Sequence, residues 1–208
     1  MMKDFYENYW KTRKNTKYCQ RYGIFADWIG DNVSVLDIGC GDAYFGEYLI
    51  KDKKNIKYLG CDVSEEAIKM VKQRGLDAVL LDATKGGLSV FGDDQFDFVV
   101  MSEFIEHIIH AEDILKEAAR IAKKGVLVST PNVAYIRSRA ALLFGRFPKQ
   151  WAVAPWEHLR YWSAIDFAEI IKSIGLNLKE LKAANGKKIL RDLWPNLFAL
   201  QICYFITK

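Results

Sequence analysis

Residues 34–46 read SVLDIGCGDAYFG. Ser34 to Ile38 is a short and mostly apolar run, the profile of a buried strand. Gly39 and Gly41 then supply the permissive backbone of a tight strand-to-helix turn. Such a turn brings backbone N–H groups and a helix N-terminus close to a bound ligand. A strand, a glycine turn and a helix from Tyr44 to Lys51 form the first βα unit of a doubly wound sheet, where ligands sit at the strands' C-terminal ends. The glycine pair alone is shared with folds that bind nicotinamide or flavin dinucleotides. That fingerprint places a third glycine three residues after the second, where this chain has Tyr44. Asp37, inside the motif, also argues against a dinucleotide site.

Further strands end in acids. Tyr58 to Cys61 reads as the second strand, with Asp62 at its tip and Ser64 as N-cap of the next helix. Asp62 lies 21 residues past Gly41, a distance at which an acid accepts hydrogen bonds from both hydroxyls of an adenosyl ribose. Leu76 to Leu81 reads as the third strand, followed by Asp82 and Ala83. The three acids Asp37, Asp62 and Asp82 are spaced 25 and 20 residues apart, the rhythm of successive βα units lining one cleft.

Phe96 to Ser102 is almost continuously apolar, as a central parallel strand is. Glu103, Glu106 and His107 follow. In a helical turn they fall at i, i+3 and i+4, on one face. Two carboxylates so close repel unless something offsets the charge. A divalent cation would, magnesium or manganese foremost and zinc as an alternative; so would a metal-free arrangement with His107 as general base. A histidine satisfied within the core is the structural alternative. Gly125 to Thr130 reads as the fifth strand.

Segment 133–162 is long for a strand-to-helix link and carries Tyr135, Arg137, Arg139, Phe144, Arg146, Phe147, Trp151, Trp156, Arg160, Tyr161 and Trp162. Such insertions form caps or substrate-binding elements; the structural alternative is a self-packed helix with solvated arginines. Ser163 caps a helix from Ala164 to Ile174. Leu176–Leu181 and Leu197–Thr207 supply the last strands, and Lys187, Lys188 and Arg191 between them read as a solvated loop. Ahead of the motif, the aromatic residues from Phe5 to Trp28 include a helical pattern from Lys17 to Ile29. They form either a helix packed on the sheet edge or a lid, with Tyr9 and Trp10 as its contacts.

At 208 residues, half of them apolar and 27% charged, the chain has the composition of one globular domain with a sizeable core. No run reaches the roughly 18 apolar residues of a membrane span, and the charged N-terminus is unlike a signal peptide. Cys19, Cys40, Cys61 and Cys203 show no C-x-x-C spacing, so reduced thiols in a cytoplasmic protein are expected, without structural zinc. A net charge of +4 admits an anionic substrate without calling for nucleic acid.

Val35-Leu36-Asp37-Ile38-Gly39-x-Gly41 resembles the first motif of the class I S-adenosylmethionine-dependent methyltransferases, with Ala43 where that family has a third glycine. The resemblance runs from Asp4 to Thr207. It implies a Rossmann-like α/β fold: a doubly wound seven-stranded sheet, mostly parallel with an antiparallel final strand, and helices on both faces. It implies one domain over 1–208, with residues 1–30 as a helical lid and 133–162 as an inserted cap. S-adenosylmethionine, leaving as S-adenosylhomocysteine, would lie against Asp37, Gly39, Cys40, Gly41, Asp62, Val63, Asp82, Ala83 and Ser102, with Asp82 receiving the adenine amine. Glu-x-x-Glu-His resembles ubiquinone-biosynthesis O-methyltransferases and small-RNA 2′-O-methyltransferases. There the cluster is associated with a divalent metal, and the RNA enzymes add a later histidine, for which this chain offers His158. Glu103, Glu106, His107 and His158 are therefore the candidate catalytic residues and the candidate magnesium ligands. Pro131-Asn132 through Arg139, and Gly145–Pro148, look most like the MetW group. The implied function is methylation, chiefly O-methylation, of a small molecule. Alternatives are a non-catalytic MetW-like partner protein and, less favoured because the basic residues are scattered, a metal-assisted RNA methyltransferase. A nicotinamide-dependent oxidoreductase ranks last.

Overall fold

Alternation of apolar residues between two covered faces shapes the sheet. In strand β4 (Phe96–Ser102) Val99 and Met101 enter one core, while Phe98 and Val100 enter the other. Both faces are buried, so the strand's sequence is apolar throughout rather than alternating. The computed structural model describes residues 2–13, 17–150 and 156–208, which leaves Trp151 outside the described residues.

The remaining strands are β1 (Ser34–Ile38), β2 (Lys57–Asp62), β3 (Asp77–Leu80), β5 (Ala122–Pro131), β6 (Asn177–Gly186) and β7 (Ala199–Thr207). They form a seven-stranded sheet in the order β3-β2-β1-β4-β5-β7-β6. β1 to β5 pair in parallel, and β7 runs antiparallel to both β5 and β6. The order reverses between β1 and β4, which creates a crevice at their C-terminal ends.

Helices α1 (Met2–Thr12), α2 (Gln20–Ile29) and α3 (Tyr44–Asp52) precede α4 (Glu65–Gln73) and α5 (Ala111–Ile121). After β5 come α6 (Ile136–Leu143) and α7 (Ala164–Ser173), with the short α8 (Lys188–Leu193) and α9 (Pro195–Phe198) between β6 and β7. One face of the sheet is covered by Leu115 and Ile121 of α5 and Phe167 of α7. The other is covered by Phe25 of α2 and Phe45 and Leu49 of α3. Ser64 caps α4 by accepting the Ala67 N–H at 3.2 Å. Ser163 and Asp166 cap α7 reciprocally. Among the described residues no helix is long and apolar enough to cross a membrane.

Three local expectations are corrected. The helix expected from Lys17 starts at Gln20. The solvated loop at 187–191 is instead the start of α8. Lys187 and Lys188 are exposed, but Arg191 is buried and its Nη1 donates to Gln20 Oε1 at 2.5 Å. The helical turn expected at Glu103 begins at Ile105 as a 3-10 turn, because Glu103 itself has φ 54°. That left-handed residue breaks the i, i+3, i+4 face.

The end of β5 is pinned by Asn132. Its Nδ2 donates to the Ala199 carbonyl at 2.9 Å and to that of Asn196 at 3.0 Å, and its Oδ1 accepts the Ala134 N–H at 3.0 Å. Only 1% of the residue is exposed, so truncation leaves buried carbonyls unpaired. Asn132→Ala is expected to lower unfolding free energy by about 1–3 kcal/mol with little change in m-value. Urea denaturation checks this; an unchanged midpoint would show that water replaces the side chain at no cost.

Candidate functional site

The crevice opens into a cleft of about 1340 Å³ over the tips of β1, β2 and β4. Its floor is the glycine turn. Gly39 (φ 71°) and Gly41 (φ 55°) both adopt the left-handed conformation. A Cβ on Gly39 would fall 2.2 Å from the Phe104 ring, and one on Gly41 would fall 2.3 Å from that of Trp10. Either side chain would displace an aromatic packed on the turn. Ala43 keeps φ 51°. The backbone thus retains a glycine-like conformation at a cost of about 1–2 kcal/mol.

The strand-end acids are held differently. Asp62 is buried, with Oδ2 accepting the Gly41 N–H at 3.0 Å and Oδ1 the Ser64 N–H at 2.9 Å. Burial raises its pKa, and those N–H bonds oppose the rise. Asp37 is also buried and accepts the Tyr58 hydroxyl at 2.7 Å. Burial pushes its carboxyl up to about 7, with the Tyr58 bond acting against it. Asp82 is more open. Its Oδ1 accepts the Thr84 N–H at 3.0 Å, and its Oδ2 lies 3.3 Å from Lys85 Nζ. Val63, Ala83, Cys40 and Ser102 line the same cleft. Burial, and then Asp37, hold the Cys40 thiol well above its usual range, so it stays protonated. Ser102 Oγ accepts the Arg21 Nε–H at 2.8 Å.

At the other end of the cleft, the 3-10 turn from Ile105 to His107 meets the chain at 157–160. The Glu106 carbonyl accepts the Leu159 and Arg160 N–H groups at 2.9 and 3.1 Å. The His107 Nδ1 lies 2.6 Å from the Glu157 carbonyl. A carbonyl only accepts, so Nδ1 carries the proton and Nε2 keeps its lone pair. Burial lowers the His107 pKa despite that bond. The His158 ring lies 4.8 Å from the His107 ring, and burial followed by the proximity of His107 lowers the His158 pKa to about 4. Glu106 is 1% exposed, and neither carboxylate oxygen has a partner among the described residues. Burial, then the charge of Glu103, raise its pKa well above the carboxylate range. The Tyr6 hydroxyl and His158 Nδ1 are buried and unpartnered in the same way.

Glu106, His107 and His158 each bring one ligand atom to within 4.8 Å of the others. Glu103 does not join them; its Oε2 accepts the Gln201 Nε2–H at 2.8 Å. Two imidazoles and one carboxylate are a poor magnesium set, because magnesium takes an octahedron of oxygens; this donor set suits zinc better. The residues present do fit an adenosyl ligand. The strand-end acids converge on one cleft, and the bare glycines admit close approach to the backbone.

Lys3 and Glu7 carry no sequence signal, and Tyr6 reads in the sequence only as one of the N-terminal aromatics. Tyr6 lies with its ring centroid 5.9 Å from that of His107. Its helix α1 crosses the cleft: Glu7 Oε2 accepts the Ser64 hydroxyl at 2.7 Å, and Lys3 pairs with Glu65 at 2.9 Å. Trp156 meets Phe5 with ring centroids 4.4 Å apart. The arginines of 133–162 divide. Arg139 donates to the Ala134 carbonyl at 2.7 Å and Arg160 pairs with Glu112 at 2.5 Å, whereas Arg137 lines the cleft.

The family model for the methionine biosynthesis protein MetW matches residues 20–206. The bifunctional methionine biosynthesis protein MetXA/MetW of Rhodopirellula baltica is 28% identical over 187 residues; the match takes in 80% of this chain but only 29% of that protein. A ubiquinone biosynthesis O-methyltransferase of Pelagibacter ubique is 24% identical over 184 residues, covering 85% of this chain and 74% of the relative. Magnesium protoporphyrin IX methyltransferase from Synechocystis PCC 6803, solved with bound S-adenosylhomocysteine, superposes with a TM-score of 0.69. It does so at 12% identity, over 100% of this chain and 98% of that one, and shares the fold. With its seven-stranded sheet, its glycine turn and a family match over nearly its whole length, the chain belongs to the MetW family of class I S-adenosylmethionine-dependent methyltransferases.

Proposed function

We propose that the protein transfers a methyl group from S-adenosylmethionine to an oxygen of a small acceptor. The observation that carries this reading is the neutral His107, which lines the cleft and whose Nδ1–H is fixed on the Glu157 carbonyl. The donor, when bound, supplies a methyl carbon already activated by its sulfonium. What the chain supplies is alignment for in-line displacement and a place for the acceptor's proton.

In this reading Asp62 holds the ribose hydroxyls and Asp82 with Ala83 holds the adenine. Asp37, Gly39, Cys40, Gly41, Val63 and Ser102 surround the remainder of the donor. His107 Nε2 takes the acceptor hydroxyl's proton. The imidazolium so formed keeps its Nδ1–H on Glu157, and the nearby acid Glu103 offsets its charge. Glu106 and His158 orient the acceptor, and α1 acts as a lid that excludes water from both ends of the cleft. The related O-methyltransferase supports oxygen as the methylated atom.

A second reading, a partner protein that keeps the adenosyl site without turnover, is favoured by the exposed Ile189, Leu193 and Trp194 on and beside α8. The bifunctional relative, which carries this region within a longer chain, supports it too. Donor binding without transfer of label from methyl-labelled S-adenosylmethionine to any small-molecule extract would favour this second reading.

Three outcomes test the proposal. Calorimetry should find one S-adenosylhomocysteine bound per chain, equally in EDTA and in magnesium; no binding in either buffer would remove the donor site. Its affinity should also depend on pH. The ligand's ammonium favours an ionised Asp37, which is largely protonated below about 7. Affinity should therefore rise from pH 5 toward 7 and level off above, with the slope abolished in Asp37→Asn. Finally, long-range nitrogen NMR should find His107 protonated on Nδ1 alone at pH 7 and titrating below its ordinary value, with His158 titrating near 4. A His107 proton on Nε2 would exclude it as the base.

A further inference from the structure

Helix α6 carries its apolar stripe on the outside. Ile136, Ala140 and Leu143 recur at i, i+4 and i+7, which sets them on one face. In a surface helix such a face is turned to the core, yet here all three are exposed and the buried residue of the helix is Ser138. The turn that follows extends the stripe with Phe144 and Phe147. Leu143 is 82% exposed and Phe144 79%. On α4 and α5 the outward positions are held instead by Glu65, Lys69, Asp113 and Lys116. Large apolar side chains gathered on one outward face mark a surface that something covers.

Charge identifies the covering. Between Asn132 and Glu157 the chain has Arg137, Arg139, Arg146 and Lys149 but no Asp or Glu. In helical projection Arg137 and Arg139 fall on opposite flanks of the stripe. All four cations are exposed and none is in an ion pair among the described residues, whereas Arg120 and Arg160 are paired with acids. A second copy of the chain would bring the same arginines together across a two-fold axis, with no acid in the segment to offset them. A nucleic acid would meet the cations but leave Leu143 and Phe144 without apolar contact. An anionic bilayer satisfies both: its headgroups take the cations and its acyl chains take the apolar stripe. The helix is far too short to cross the bilayer, so it lies in the interface plane.

We propose that α6 and the turn after it dock the protein on an anionic lipid bilayer, with Leu143 and Phe144 among the acyl chains and the flanking basic residues at the headgroups. The proposal stands apart from the methyl-transfer reading. Ser138 and Ala141, on the inner side of the same helix, line the cleft, so docking sets the bilayer beside the cleft's mouth.

Cosedimentation of the full chain with lipid vesicles tests the proposal. The wild type should bind vesicles of phosphatidylcholine with about one third phosphatidylglycerol, and bind pure phosphatidylcholine about a hundredfold less well. Raising sodium chloride from about 0.05 to about 0.5 M should weaken the anionic binding about tenfold or more. Leu143→Ser combined with Phe144→Ser should lower it about a hundredfold. Arg146→Gln combined with Lys149→Gln should lower it about thirtyfold on the anionic vesicles. These side chains are exposed, so the urea midpoints of both variants should match that of the wild type. Absence of wild-type binding to anionic vesicles at low salt would overturn the proposal. So would undiminished binding in the Leu143/Phe144 variant, which would place the contact elsewhere. A concentration-dependent dimer in sedimentation velocity, lost in that variant and unaffected by vesicles, would assign the face to a second copy and overturn it too.

Discussion

The buried carboxylate of Asp62 ties together the parts on which the site depends. By accepting the N–H groups of Gly41 and Ser64, it joins the turn after β1 to the start of α4. Neither N–H could be buried without an acceptor, and a neutral residue would satisfy them less well than a carboxylate. The same junction receives α1. Glu7 takes the Ser64 hydroxyl at 2.7 Å and the Glu66 N–H at 3.3 Å, an acid placed at the N-terminus of a helix. Trp10, one turn further along α1, consequently lands on Gly41. One strand-end acid thus fixes the turn's shape and the landing point of the helix that covers it.

A second junction does for the far end of the cleft what Asp62 does for the near end. The short turn after β4 offers the carbonyl of Glu106 to two N–H groups of the 157–160 segment. That segment returns the Glu157 carbonyl to the His107 ring. The exchange docks a long connection onto the sheet and selects one tautomer of a half-buried imidazole. It also brings His158 beside His107, where desolvation keeps both rings neutral. Structural hydrogen bonds therefore set the tautomer, while burial lowers the His107 pKa against the opposing charge of Glu103.

What was legible in the sequence follows the range of the interaction that decides each feature. The strands β1, β2 and β4, the cap at Ser64 and the capping box at Ser163 are decided within a few residues, and they fall where the pattern puts them. The strand-end acids were legible because successive βα units repeat one geometry. Features decided at long range were not. Arg191 reads as a loop cation until Gln20, 171 residues away, becomes its partner. Arg21 reads as one charge on an amphipathic helix until Ser102, 81 residues on, fixes its direction. Glu103 fails for a local reason: its left-handed backbone turns the chain before any helix begins, so Glu106 and His107 meet His158 without it, although all of them line the cleft. Ala43 is the converse case. Its sequence departs from glycine while its backbone keeps the glycine conformation.

The charges of the cleft fit a ligand that changes charge during the reaction. Burial leaves Glu106, His107 and His158 neutral and brings Asp37 to the edge of ionisation near neutral pH. A cleft lined by permanently ionised acids would bind a sulfonium tightly, but it would stabilise the starting cation more than a transition state in which that charge is dispersing. The carboxyl of Asp37, raised by burial to about 7, can ionise as a cation arrives and so avoids part of that penalty, while Asp82 stays ionised beside Lys85. The firmly placed cation is Arg21, whose Nε–H is held by Ser102 Oγ in the same cleft. In the proposed reaction it is the neutral imidazole of His107 that serves the acceptor, where a proton has to move.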